Sequence, residues 1–158
     1  MTLKFLLPGK AREKFIKDGY QEYLKRLSRF AKLSLINLNE EPLSSSPNEK
    51  EISLALKKEA VRAMNQIKED DILFLVDIHG PLLSSQELAE KISQASRKNG
   101  NLVFLLGSSY GLDDSLRKRA NYSFSLSNMT FTHYMAMLLT LEQVYRAMKI
   151  NSGEAYDK

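Results

Sequence analysis

Two runs of five uninterrupted apolar residues, Ile72 to Val76 and Leu102 to Leu106, constrain this chain more than anything else in it. One is bounded by Asp71 and Asp77, the other by Gly100-Asn101 and Gly107. Runs this short, closed by polar residues and glycine, suit strands better than buried helices. Because they lack the apolar-polar alternation of a strand with one wet face, both faces must be covered, which places them at the centre of a parallel sheet. The rest of the chain supplies the covering. Read along its length it runs strand, helix, strand, helix, strand, helix, strand, short helix, strand, long helix, the alternation of an α/β fold with helices on both faces of a largely parallel sheet. With 158 residues there is enough chain for one substantial core, so a single domain spanning 1–158 is expected.

The flanking signals fill in the remaining elements. Leu3 to Leu7 reads as the first strand, closed by Pro8-Gly9. Phe15, Ile16, Tyr20, Tyr23, Leu24 and Leu27 then recur at helical spacing, with Lys10, Arg12, Lys14, Lys17, Lys25, Arg26 and Arg29 filling much of the rest. Leu33 to Leu38 forms a second strand, followed by a polar loop from Asn39 to Ser46. Ser46-Pro47-Asn48-Glu49 has the pattern of a capping box, with Pro47 at the first helical position, and Ser84-Ser85-Gln86-Glu87 repeats the box. Tyr122 to Leu126 reads as the last strand, and an amphipathic helix runs on to Ile150.

Composition excludes several chemistries. Without cysteine there are no disulfides, no thiolate catalysis and no cysteine-ligated metals, and with only His79 and His133 no structural zinc is expected. No stretch approaches the ~18 consecutive apolar residues of a membrane span. The apolar start is interrupted by Lys4 and stopped by Pro8, too short for a signal peptide. A cytoplasmic protein without metal or membrane partner is expected. The net charge of +4 is mildly basic and not by itself a nucleic-acid signature.

In an open α/β sheet, ligands bind beyond the C-terminal strand ends, which points to Asp77 to Pro81 and Gly107 to Leu112. Three readings compete for Gly107-Ser108-Ser109-Tyr110-Gly111-Leu112. A phosphate loop lacks the Gly-Lys-Ser/Thr that reaches terminal phosphates and magnesium. A nucleophile elbow fits Gly107-x-Ser109-x-Gly111, making a serine hydrolase with Ser109 an alternative, although the only acids between Ser109 and His133 are Asp113 and Asp114, beside the elbow itself. In the third reading, Gly107 lets a flat ligand approach the strand end and Gly111 lets the chain turn before the next helix.

A further set of segments carries a resemblance. Leu105-Leu106-Gly107-x-x-x-Gly111-Leu112 is followed by Ser125-Leu126-Ser127-x-Met129-Thr130-Phe131-x-His133, by Leu141-Glu142-Gln143-Val144-Tyr145-Arg146-Ala147 and by Gly153-Glu154-Ala155-Tyr156-x-Lys158. Together with Leu6-Leu7-Pro8-Gly9-Lys10 and Asp77-Ile78-x-Gly80, the order and spacing resemble the RlmH family of ribosomal RNA large-subunit methyltransferases over the full length. The resemblance implies a SPOUT-type α/β fold with a C-terminal deep trefoil knot, and a homodimer whose site beside the knot is completed by the partner chain. It implies S-adenosylmethionine as cofactor, held by Val76, Gly107 and the loop of Leu126, Ser127, Asn128, Met129, Thr130 and Phe131. The implied reaction is methylation of N3 of a pseudouridine in large-subunit ribosomal RNA, within the ribosome.

The imide nitrogen must lose its proton before it attacks a sulfonium methyl, so a base or a cationic environment is required. His133, at the start of the last helix and beside the cofactor loop, is the base or orienting candidate. Arg146 and Lys158 are candidates for holding phosphates or the developing anion, and Tyr156 joins them in the tail the resemblance covers. Arg117, Lys118 and Arg119 are candidates for an RNA-binding rim. The tail departs from the family pattern, reading Tyr156-Asp157-Lys158 where a histidine usually stands between tyrosine and a basic residue. That departure leaves a second expectation, a ribosome- or RNA-binding relic that has kept the fold and lost catalysis.

Overall fold

The structure, a computed structural model, describes residues 1–154. Ten elements follow one another: β1 (Thr2–Pro8), α1 (Lys14–Leu27), β2 (Lys32–Leu38), α2 (Glu49–Met64), β3 (Ile72–Val76), α3 (Ser85–Lys98), β4 (Asn101–Leu106), α4 (Asp114–Arg119), β5 (Tyr122–Phe124) and α5 (His133–Asn151). The strands make one five-stranded sheet in the order β2-β1-β4-β3-β5, parallel throughout. The two uninterrupted apolar runs become β3 and β4, and both lie inside the sheet as their composition requires.

The pleat sends successive side chains to opposite faces. Leu3, Phe5 and Leu7 of β1, Phe74 of β3 and Leu102, Phe104 and Leu106 of β4 all face one cluster, shared with buried residues of α1, α3 and α5. Leu6, Leu73, Leu75, Val103 and Leu105 face the other, under α2 and α4. On the first face an aromatic row crosses four strands in register: Phe5 against Phe104, Phe104 against Phe74, and Phe74 against Tyr122, with ring centroids 5.3, 4.9 and 4.7 Å apart.

Capping follows the expected chemistry with one change of register. Ser84 and Glu87 form the reciprocal box that starts α3. For α2 the cap is Asn48, whose side chain accepts the Glu51 amide, and not Ser46. Both Ser46-x-x-Glu49 and Asn48-x-x-Glu51 present a capping residue followed by an acid, and the second wins; Pro47 then precedes the helix. The last strand is shorter than predicted. Beyond Phe124 the chain leaves the ladder: the Ser125 amide donates to the Pro81 carbonyl at 2.9 Å and its hydroxyl to the Ser127 carbonyl at 2.8 Å.

The loop from β3 to α3 therefore lies across the end of β5. Gly80 is pressed so closely on Phe124 that a Cβ there would meet the Phe124 backbone nitrogen at 2.9 Å. Among the described residues no helix is long and apolar enough to cross a membrane.

Candidate functional site

Three strand ends, those of β3, β4 and β5, open on one side of the sheet, and the loops that follow them enclose a cleft of about 450 Å³. This is within the range of small-molecule and cofactor sites. Val76, Asp77 and Ile78 contribute one wall, Gly107, Ser108, Ser109, Gly111 and Leu112 the second, and Ser125 to Ser127 with Met129 to His133 the third. Val76, Gly107, Leu126, Ser127, Met129, Thr130 and Phe131 thus share one cavity, although they come from three loops. Asn128 is the member of the expected set outside that lining; it stands exposed at the loop tip. The loop is braced from within, since the Ser127 hydroxyl accepts the Met129 amide at 3.0 Å.

Gly107 also meets a demand from within the chain. A Cβ at this position would meet the carbonyl oxygen of Gly111 at 2.5 Å and Leu112 Cγ at 2.8 Å. The missing side chain lets the 107–112 segment fold back on the strand end, and the ligand wall is built by that return. Gly111, at φ 105°, is the residue that turns the chain.

In the cleft wall Asp77 is held by Arg117, whose Nε donates to one carboxylate oxygen at 2.7 Å while the His79 amide donates to the other at 3.1 Å. Burial of Asp77 pushes its carboxyl up. The Arg117 guanidinium and the amide bond more than offset this, so it stays below the ordinary carboxylate value of 3.8. A carboxyl depressed in the folded state adds stability that is fully present above its unfolded value and is lost as pH falls through the folded one, here below about 3.8. Arg117→Ala leaves a carboxylate with 6% exposure without its cation. We expect a cost of about 2–3 kcal/mol at pH 7, toward the low end for a broken buried pair because the guanidinium is partly solvated. Acid unfolding should begin at a higher pH than in the parent, as a denaturant series between pH 3 and 7 would show.

Of the three residues expected on an RNA rim, Arg117 is thus engaged with Asp77. Arg119 is engaged with the carbonyls of Lys68 and Asp71, each at 2.9 Å, and Lys118 is exposed.

His133 opens α5, with Thr132 as its cap. The helix start is tied to α1, since the Tyr20 hydroxyl donates to the Tyr134 carbonyl at 2.7 Å. The imidazole lines the cleft with 14% of its side chain exposed, and its ring lies 4.0 Å from that of Tyr134. Its Nε2 is buried and sits 3.2 Å from Glu40 Oε1, yet the alignment is not that of a hydrogen bond and Nε2 has no partner. Glu40 lies 93 positions from His133 in the chain, and no local pattern links the two.

Arg146 does not line the cleft. It pairs with Glu142 at 3.0 Å, thirteen residues along α5 from His133 by the numbering and so roughly 20 Å away along the helix axis. Tyr156, Asp157 and Lys158 lie outside the described residues. Just before them, Glu154 is clamped by Arg29 and Lys149. Ser109 shares the cleft with His133, but no hydrogen bond joins them among the described residues, and Asp113 spends its carboxylate on the Ser115 amide and hydroxyl as the cap of α4. The arrangement therefore lacks an acid oriented on His133 from the elbow. Among the described residues there is also no cluster of three or more histidine, aspartate or glutamate side chains able to hold a metal ion.

This geometry has relatives. The family described as "Predicted SPOUT methyltransferase" matches residues 1–157. Proteins named "Ribosomal RNA large subunit methyltransferase H" are similar over the entire length of both chains. The one from Clostridioides difficile (strain 630) is 41% identical over 159 aligned residues, and that from Lactococcus lactis subsp. cremoris (strain SK11) is 39% identical over 159. Among solved structures, a probable methylase family protein from Haemophilus influenzae Rd KW20 shares the fold with a TM-score of 0.54 at 15% identity, covering 99% of this chain and 70% of its own.

Proposed function

Since this chain belongs to the SPOUT methyltransferase family, and within it to the family of ribosomal RNA large subunit methyltransferase H, we propose that it methylates large-subunit ribosomal RNA with S-adenosylmethionine as donor. The target is N3 of a pseudouridine presented on the ribosome, and the working form is a cytoplasmic homodimer. The observation that carries this reading is the convergence of Val76, Gly107, Leu126, Ser127 and Met129 to Phe131 on one cleft beside His133.

The donor set suits a nucleoside. Val76, Leu126, Met129 and Phe131 offer apolar surface for a flat base, while main-chain groups of the 107–112 and 125–131 loops supply the polar contacts that fix its orientation. Bound there, S-adenosylmethionine would supply an electrophilic methyl on a sulfonium. The protein's own work is to exclude water, hold the pseudouridine in line and take the N3 proton. His133 is the group on the cleft wall suited to accept that proton.

A dimer supplies what one protomer lacks. Arg146 does not line its own protomer's cleft, and the exposed apolar residues Ile78, Met129 and Phe131 at the cleft favour burial against another surface. In this arrangement the partner chain completes the site. Lys118 is the member of the expected basic rim free to meet phosphate.

Two measurements test the reading. Mass mapping of ribosomal RNA from a strain lacking the protein should show one methyl missing from a pseudouridine, restored by the parent sequence; an unchanged methylation pattern would overturn the assignment. Calorimetry should show S-adenosylmethionine binding to the parent and weakening by at least roughly tenfold in Gly107→Val, because a side chain there displaces the Gly111 carbonyl from the cleft wall. Equal affinities would remove the cleft from the reading. Retained binding with no missing methyl would favour the non-catalytic relic instead.

A further inference from the structure

Residues 9, 40, 133 and 134, from three separate parts of the chain, meet in one niche. Gly9 follows β1, Glu40 follows β2, and His133 and Tyr134 open α5. Gly9 has φ 78°, and a Cβ on it would lie 2.7 Å from Glu40 Oε1 and 2.5 Å from the Tyr134 hydroxyl. Its bare backbone makes the room in which the carboxylate stands against the imidazole. His133 Nε2 is buried, has no hydrogen-bond partner and lies 3.2 Å from that carboxylate.

We infer that Glu40 is a positioning residue for His133, fixing the ring proton on Nε2 and leaving Nδ1 as the nitrogen that accepts a proton in the cleft. The chemistry follows from what each nitrogen can do. A neutral imidazole has one donor and one acceptor nitrogen. Were Nε2 the acceptor, its lone pair would face a carboxylate oxygen with no proton between them. With the proton on Nε2 the same contact is attractive, and a small rotation of the Glu40 side chain aligns it. Catalytic contacts that are loose in a free enzyme commonly tighten when substrate arrives. The exposure that His133 keeps at the cleft lies on atoms other than Nε2.

Resting on the reading given above, the pair completes a balanced step. The N3–H bond of the pseudouridine breaks and its proton goes to Nδ1; the N3 electron pair forms the new N–C bond as the S–C bond breaks, and that electron pair returns to sulfur. The imidazolium formed is neutralised by Glu40 and afterwards releases its proton to water. Tyr134, Arg12, Glu13 and Glu59 are the other ionisable groups whose fields reach this niche.

The test separates the pairing from the reaction. In a His79→Gln background, long-range proton-nitrogen correlation spectra of the remaining ring should show the Nε2–H tautomer in the parent. They should show a shift toward Nδ1–H in Glu40→Leu, and retention of Nε2–H in Glu40→Gln, whose amide oxygen still accepts. On ribosomes, kcat should fall roughly tenfold or more in Glu40→Leu with KM within about twofold, and recover in part in Glu40→Gln. Glu40 lies on a loop with 42% of its side chain exposed, so these variants should fold, as circular dichroism would verify. An unchanged tautomer in Glu40→Leu overturns the inference whatever the rate. A shifted tautomer with an unchanged rate overturns Glu40's part in the reaction. A parent protein inactive on ribosomes, with the tautomer shift present, upholds the pairing while the proposed substrate fails.

Discussion

Replacing His133 by glutamine is expected to slow methyl transfer about 10²- to 10⁴-fold, the usual contribution of a positioned proton acceptor. Glutamine fills similar space and can hydrogen-bond, but it cannot take up a proton near neutral pH. Thr132 still caps α5 and Tyr20 still holds the Tyr134 carbonyl, so the helix start should survive. Affinity for S-adenosylmethionine should stay within about threefold, because the three loops that line the cleft keep their own bracing. Single-turnover assays on ribosomes together with calorimetry would check both halves. A variant that turns over within about threefold of the parent would remove His133 as the base and leave the tail as the place to look.

The second large effect is on stability. Phe104→Ala should cost about 3–5 kcal/mol, lowering the melting temperature by roughly 10 °C. Its ring is fully buried between Phe5 and Phe74, so truncation opens a void at the middle of the four-strand aromatic row. The flanking rings are fixed by strand register and cannot close in. Urea unfolding would measure the loss, and a cost under about 1 kcal/mol would mean that the sheet relaxes around the gap. The two substitutions should also separate cleanly. One silences the cleft with the fold intact, while the other weakens the fold two residues before the end of β4, from which the Gly107 loop departs.

The fold was legible because its signals are local. Five-residue apolar runs require coverage on both faces, and the α3 box names its own start, so all ten elements and their alternation follow from patterns a few residues long. Boundaries were less secure where local signals overlap. Two capping registers coexist between Ser46 and Glu51, and β5 stops at Phe124 because Pro81, 44 positions away by the numbering, claims the next amide. The cleft walls were legible too, as consecutive residues at strand ends. What composition and spacing do not carry is pairing across the sheet. Arg117 reads as one of three basic residues in a row until Asp77 is seen to hold it, and Glu40 reads as one polar residue in a loop until β2 and α5 bring it to His133. Spacing likewise does not show that the atom a side chain at Gly107 would meet first belongs to Gly111.

The register of β1 bears on how such a chain is made. Thr2 pairs on one side with Lys32 and on the other with Asn101. A nascent polypeptide therefore carries a strand with one edge unsatisfied until some hundred residues have been synthesised, and an apolar one at that. Unpaired edges of this kind recruit neighbours indiscriminately. Fragments released early in translation will be sticky rather than merely inactive, and a cell producing this protein depends on finishing each copy.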